Sequence, residues 1–183
     1  MSNIREPLLK KLHEQFSSSI ESINDFRDEI TIIIKKEFLI SVCTFLRDDK
    51  EFVFDSLRDV TAVDYFGFLQ NPTPQDHDIL VSEKIQQHFD TRFQIVYNLY
   101  SIKNNFRVRL KVKLNEDETI PTVSTVWKSA NWAEREVYDM FGIKFDGHPD
   151  MRRIYLPEEF EFHPLRKEFP LMGIPGSLPL PKH

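Results

Sequence analysis

With 183 residues, 40 % of them hydrophobic and 29 % charged, the chain is expected to form one globular body that buries roughly 70 % of its unfolded surface. A formal net charge of -5 argues against a nucleic-acid footprint, which needs clustered positive charge. The single cysteine, Cys43, excludes an internal disulfide and any multi-cysteine metal or iron–sulfur site built by this chain alone, and points to a reducing compartment.

The amino-terminal stretch has no signal-peptide pattern, and the longest strongly apolar run, 30–34, is far too short to span a bilayer. Membrane contact is therefore expected only through a partner. Pro7 at a first-turn position, followed by Leu8, Leu9, Leu12 and Phe16, predicts a short amphipathic helix that ends at Ser17 to Ser19. The β-branched stretch 20–36, interrupted at 25–29, predicts a two-stranded hairpin. Phe38, Val42, Phe45 and Leu46 recur at helical spacing, so 37–47 is a second amphipathic helix with Cys43 on its buried side. A strand is expected over about 60–65, and the Pro-containing stretch 71–78 reads as a surface loop, while 81–89 is too polar to assign.

The cleanest pattern follows. Residues 93–100 alternate as a strand, Lys103 to Asn105 supply a turn, and 107–114 returns with Val108, Leu110, Val112 and Leu114 on one face. Arg107, Arg109, Lys111 and Lys113 occupy the other face, as a solvated surface or a docking surface for an acidic partner. After an acidic turn at 115–118, a further strand is predicted over 122–127. Asn131 with Glu134 suggests a capping box, and Gly142 a left-handed stop, for a helix whose apolar stripe is Ala133, Val137, Met140 and Phe141. Glu134, Arg135, Glu136 and Asp139 fill the rest of that helix. Arg135 and Asp139 are spaced to pair, and the surplus carboxylates look for cations among Arg152, Arg153, Arg166 and Lys167.

These elements predict an α+β fold, a mixed or mostly antiparallel sheet with helices packed on one face, over 1–156. From 157 to 183 an extended Pro-rich C-terminal tail is expected, because seven of the 11 prolines lie from Pro149 onward. The tail keeps Phe160, Phe162, Leu165 and Phe169, too aromatic for solvated disorder, so it should lie against something. Candidate chemistry is sparse. The five glycines form no nucleotide loop. His148 and His163 each precede a proline, which suits an extended bend better than a metal site. Glu134, Glu136 and Asp139 could serve acid–base work, but without a nucleophile or substrate clamp they read as a salt-bridge network. No catalytic, cofactor-binding or metal-ligating residue is assigned.

The stretch 134–156, EREVYDMFGIKFDGHPDMRRIYL, resembles the signature of the C-type subunit of NADH-quinone oxidoreductase, the thirty-kilodalton subunit of respiratory complex I. The matching positions are Glu134, Arg135, Glu136, Asp139, Met140, Phe141, His148, Arg152, Ile154 and Tyr155. HPLRKEFPL at 163–171 resembles the family's second block, and 58–65 and 107–114 resemble its sheet strands, so the likeness spans about 38–173. Phe162 departs from the glycine that many members carry before the second His-Pro. Some members continue into a fused quinone-site subunit, so here that partner is expected to be separate.

The resemblance implies a non-redox structural subunit of a peripheral arm, on the cytoplasmic side of the bacterial cell membrane. It implies contacts with the quinone-site subunit, the D-type member of the arm, and with the cluster-bearing B-type and I-type subunits. The holoenzyme so implied carries FMN and iron–sulfur clusters in other subunits and couples electron transfer from NADH to quinone to proton translocation. Glu134, Arg135, Glu136, Asp139, His148, Arg152, Arg153, His163, Arg166 and Lys167 are then a structural and interface network. A related membrane-bound hydrogenase or ferredoxin-driven quinone reductase is the alternative host, and a stand-alone enzyme or metalloprotein the remaining class.

Overall fold

Residues 4–27, 29–66, 91–170 and 173 are described by the computed structural model of the chain. In chain order these are helix α1 (Arg5–Phe16), strands β1 (Ile20–Phe26) and β2 (Glu29–Ile34), helix α2 (Leu39–Asp48), strands β3 (Ser56–Asp64), β4 (Phe93–Ser101), β5 (Phe106–Leu114) and β6 (Ile120–Pro121), helix α3 (Ala130–Phe141) and strand β7 (Phe145–Asp146). Five strands form one sheet in the order β1-β2-β5-β4-β3, in which β2 and β5 run parallel and every other neighbouring pair is antiparallel. The α+β fold with a mixed sheet is therefore present. The two hairpins close through short local turns, whereas the parallel β2–β5 pair needs the crossover through α2, β3 and β4.

Period-two alternation puts one residue set on one face, and the register makes that face continuous. Ile30, Ile32 and Ile34 lie beside Val108, Leu110 and Val112, which face Leu99, Tyr97 and Ile95, which in turn face Leu57, Val60 and Ala62. These side chains join Leu8 and Leu12 of α1, Leu39, Val42, Cys43 and Leu46 of α2, and Ala130, Val137 and Phe141 of α3 in one buried cluster. The helices thus share one face of the sheet. Cys43 sits in that cluster as an inert core thiol, its ionisation pushed well up by burial.

Three local expectations are corrected. No strand covers 122–127; the two-residue β6 pairs in parallel with β7, and the chain then turns so that the Trp127 indole N–H donates to the Phe54 carbonyl at 3.0 Å. Asn131 is not the cap of α3, since the helix begins at Ala130 with Ser129 at the cap position and no side-chain cap bond. Arg135 and Asp139 do not pair with each other, because each finds partners in the chain that follows the helix. The loop expected at 71–78 and the unassigned stretch 81–89 lie outside the described residues, as does the tail beyond Pro170 apart from Gly173.

Residues 147–170 contain no helix or regular strand. They run as a ribbon around the C-terminal end of α3, where the predicted network residues gather.

Candidate functional site

The network is built on α3, whose apolar stripe docks on the sheet and forces adjacent charged positions below the surface. Glu134, Arg135 and Asp139 are all buried, while Glu136 is exposed and makes no ion pair among the described residues. A periodic charged face reads as solvated, so the burial of three of its members comes from chain laid over it, the turn after β6 at Glu134 and the ribbon at Arg135 and Asp139.

Glu134 is closed off from water. Its carboxylate accepts the Thr122 hydroxyl at 2.5 Å and the Val123 N–H at 2.7 Å, which fixes the turn after β6 against the helix. Burial pushes its ionisation up to about 7, against the opposing effect of those two hydrogen bonds. His148 lies beside it with Nε2 3.9 Å from Oε2, but this ring is satisfied elsewhere. Its Nε2–H donates to the Asn131 carbonyl at 3.0 Å, and Nδ1 accepts the Asp150 N–H at 3.0 Å. The first His-Pro is thus a bend that ties the ribbon's start to the start of α3.

Asp139 is the anchor of the ribbon. One oxygen accepts the N–H groups of Ile154, Tyr155 and Leu156 at 3.1, 2.8 and 3.1 Å, and the other accepts Arg153 at 2.7 Å. Burial alone would raise its ionisation, but those backbone donors and the guanidinium outweigh it and hold the carboxyl below its usual range. Arg135 complements it by donating to the carbonyls of Arg152 and Arg153 at 2.9 and 3.2 Å, with its guanidinium 4.8 Å above the Trp132 ring. Between them, one helical acid and one helical base satisfy five backbone groups over 152–156, where no ladder does so.

The second His-Pro closes the helix end. Gly142 takes φ +77° and its N–H returns to the Tyr138 carbonyl at 2.8 Å. The next three carbonyls are met by the ribbon: Asp139 by the His163 Nδ1–H at 3.0 Å, Met140 by the Leu165 N–H at 3.1 Å, and Phe141 by Arg166 Nε at 2.6 Å. A Cβ on Gly142 would stand 2.6 Å from the His163 ring, so the ribbon's close approach needs glycine there for space as well as for conformation. Burial lowers the proton affinity of His163, with the neighbouring Arg166 and Arg153 charges adding to that, so the neutral ring acts as a donor through Nδ1.

Arg166 continues outward to Glu116 at 3.3 Å, and there a cluster begins that sequence reasoning missed. Arg92, only 7 % exposed and set just before β4, reaches Glu116 and Glu168 at 2.5 Å each and Asp64 at 3.3 Å, with Phe66 and Phe93 rings within 4.9 Å. Burial opposes its charge, but the three carboxylates more than compensate and hold the guanidinium firmly ionised. Lys167 enters only through its backbone N–H, which donates to Asp64 at 2.9 Å; its side chain is exposed. Arg152 is likewise exposed and forms a bidentate pair with Asp150 at 2.7 Å.

Seven of the ten predicted network residues are therefore brought together around α3, and Glu136, Arg152 and the Lys167 side chain stay on the surface. Asp64, Arg92, Glu116, Asp150 and Glu168 complete the network. The buried acid at the end of β3 was the one available signal, since Asp64 breaks an otherwise apolar alternation. What the arrangement does chemically is to fix a ribbon to a helix. Among the described residues no group of three or more His, Cys, Asp or Glu side chains could hold a metal ion.

The ribbon leaves apolar surface outside. Tyr155 is 66 % exposed, Leu165 52 % and Phe162 44 %, and Trp132 of α3 is 64 % exposed beside a shallow cleft of about 380 Å³ with Lys128, Asn131 and Pro149.

Residues 32–175 match the family described as the 30 kDa subunit of respiratory-chain NADH dehydrogenase. The chain is 44 % identical over 164 residues to the NADH-quinone oxidoreductase C-type subunit of Geotalea uraniireducens, covering 89 % of this chain and 86 % of that protein. It is 38 % identical to the same-named protein of Coxiella burnetii, over 92 % and 79 % of the two chains. It is also 38 % identical to the second such protein of Rhizobium meliloti, over 97 % and 86 %. In fold it resembles a chain of the archaeal membrane-bound sulfane sulfur reductase, with a TM-score of 0.66 at 19 % identity over 91 % of this chain and 86 % of that one.

Proposed function

Because the chain belongs to the 30 kDa-subunit family of respiratory-chain NADH dehydrogenase, we propose that it serves as the non-redox structural 30 kDa component of an NADH-quinone oxidoreductase peripheral arm. The match over 32–175, which includes both the α3 helix and its ribbon, carries this reading. In it the FMN and iron–sulfur clusters belong to other subunits, consistent with a chain that has one cysteine, fully buried. The protein lies on the cytoplasmic face of the cell membrane and reaches the membrane only through the assembly. Among the described residues no helix is long and apolar enough to cross a bilayer.

The part from Pro157 onward acts as a docking extension of the 1–156 domain toward the quinone-site subunit, with the cluster-bearing B-type and I-type subunits nearby. The supporting observation is the row of exposed apolar side chains on a ribbon whose backbone is already tied down. Tyr155, Phe162 and Leu165 are presented by a segment ordered before any partner arrives, which lowers the entropic cost of docking. The network of Glu134, Arg135, Asp139, His148, Arg153, His163 and Arg166 is the clamp that orders it. Glu136, Arg152 and the Lys167 side chain, exposed along it, supply polar contacts at the rim.

Tyr155→Ser combined with Leu165→Ser tests this. The double variant keeps its circular dichroism spectrum and thermal midpoint as an isolated chain but is lost from the arm when the complex is purified from detergent-solubilised membranes. Full stoichiometric retention would sink the docking role. A second reading keeps the fold and changes the host to a related respiratory membrane complex. The sulfane sulfur reductase likeness allows the fold, but 38–44 % identity to NADH-quinone oxidoreductase subunits favours the first.

A further inference from the structure

The second face of the sheet carries a feature that the α3 clamp leaves unused. Near the β4–β5 turn, a cleft of about 460 Å³ opens, with Arg58, Arg107, Arg109, Tyr100, Asn98 and Glu29 among its lining. A β-bulge in β3 builds one wall. Leu57 pairs with Leu99 and Asp59 with Asn98, so Arg58 is the extra residue, and both Arg58 and Asp59 are exposed while Leu57 and Val60 stay in the core. Arg58 from β3 lies 4.7 Å from the centre of the Tyr100 ring of β4, and Arg107 from β5 lies 5.9 Å from the same ring. The Tyr100 hydroxyl is held by Asn105 at 2.7 Å, which fixes that ring. Arg109 is aligned by Asn98 at 3.3 Å and Glu29 at 2.9 Å.

Three guanidiniums thus converge from the two strands that flank β4 on a cleft whose one lining carboxylate, Glu29, is already taken by Arg109. Neither Arg58 nor Arg107 has a carboxylate partner among the described residues. The surplus continues along β5, where Lys111 is half-buried and its proton affinity is lowered by burial and then by the Arg109 charge. All this stands on a chain whose net charge is -5. A guanidinium held over an aromatic ring keeps its planar N–H fork for hydrogen bonding, and a carboxylate accepts such a fork bidentately.

We propose that this cleft is the docking site for an acidic segment of a neighbouring protein, with Arg58 and Arg107 as its anchors and Tyr100 as their fixed platform. An extended peptide fits better than a small metabolite because the donors are spread over both strands that flank β4, Arg58 on β3 and Arg107 and Arg109 two positions apart on β5. That the neighbour is another subunit of the peripheral arm rests on the function proposed above; the acidic recognition does not.

Two measurements test it. A fluorescein-labelled hexaglutamate peptide, titrated into the full chain at low salt and followed by anisotropy, binds, and Arg58→Gln with Arg107→Gln weakens it by about tenfold or more. Both side chains are exposed, so the double variant keeps its fold. Equal affinity of wild type and variant, no binding at millimolar peptide, or equally effective displacement by inorganic phosphate would each overturn the peptide assignment. In the purified complex, Arg107→Lys supplies an amine for zero-length carbodiimide coupling, and the expected product joins it to an Asp or Glu of another chain. An amine acylated as readily in the complex as in the free protein would overturn the site even where the complex is fully assembled. Loss of the unmodified chain from the complex would instead strike the function from which the neighbour was inferred.

Discussion

Two carboxylates five positions apart on α3 are driven in opposite directions by their surroundings. Glu134 is held in its neutral form by burial up to about pH 7, whereas three backbone N–H groups and Arg153 keep Asp139 ionised despite burial. The signs for stability follow. The folded chain binds a proton at Glu134 more tightly than the unfolded chain, whose reference value is 4.5, so stability falls as pH rises from about 4.5 to 7. The span corresponds to about 3 kcal/mol as an upper figure. Glu134→Gln keeps an acceptor for the Val123 N–H and removes the titration. Urea unfolding should therefore show the variant gaining on wild type between pH 5 and 8, and parallel curves would refute the buried-acid account. Asp139 contributes in the other sense, its stabilisation being lost as pH falls below the usual carboxylate range. Asp139→Ala leaves Arg153 and three N–H groups without their partner and should cost about 3–5 kcal/mol at pH 7.

At the scale of the element, α3 ends without wasting a carbonyl. Tyr138, Asp139, Met140 and Phe141 are met by Gly142, His163, Leu165 and Arg166, three of them from the ribbon. Helix ends are usually finished by local turns or water, so here the ribbon is part of the helix's termination. Gly142→Ala puts a side chain at φ +77° and into the His163 ring, and should destabilise the chain by about 2 kcal/mol or more. His163→Ala removes that steric partner. The double variant should then cost less than the sum of the two single changes, a coupling a double-mutant cycle measures directly. Strict additivity would mean that the ribbon does not approach the glycine as described.

For the whole molecule, Arg92 joins pieces that are remote in sequence: the end of β3 through Asp64, the turn after β5 through Glu116, and the ribbon through Glu168. Asp64 is buried, so Arg92→Met leaves an uncompensated carboxylate in the interior and should cost about 3 kcal/mol, most of it from Asp64 because the other two acids are partly solvated. Limited proteolysis should then cut the ribbon faster in this variant while the sheet stays resistant. Adding Asp64→Asn should restore part of the loss. An unchanged cleavage pattern would show that the ribbon is held by the α3 contacts alone.

Periodicity determined the hairpin strands, both N-terminal amphipathic helices and the body of α3, because alternation and the 3.6-residue repeat are imposed locally by which face meets the core, and Gly142 marked the stop through its left-handed conformation. The strand expected over 122–127 failed because its donors go elsewhere: the Thr122 hydroxyl and Val123 N–H to Glu134, the Val126 and Trp127 N–H groups back to the Val123 carbonyl, and the Trp127 indole to Phe54. The residue types of the clamp were equally visible in the sequence. Which charge met which partner was not, because Asp139 prefers the backbone of 154–156 and Arg153 to the arginine one turn away, and Arg92 gains three acids only when 64, 116 and 168 converge. Charge identity is a property of the residue, but burial and partner choice are properties of the packed chain, and those alone turned a charged helix face into a buried clamp.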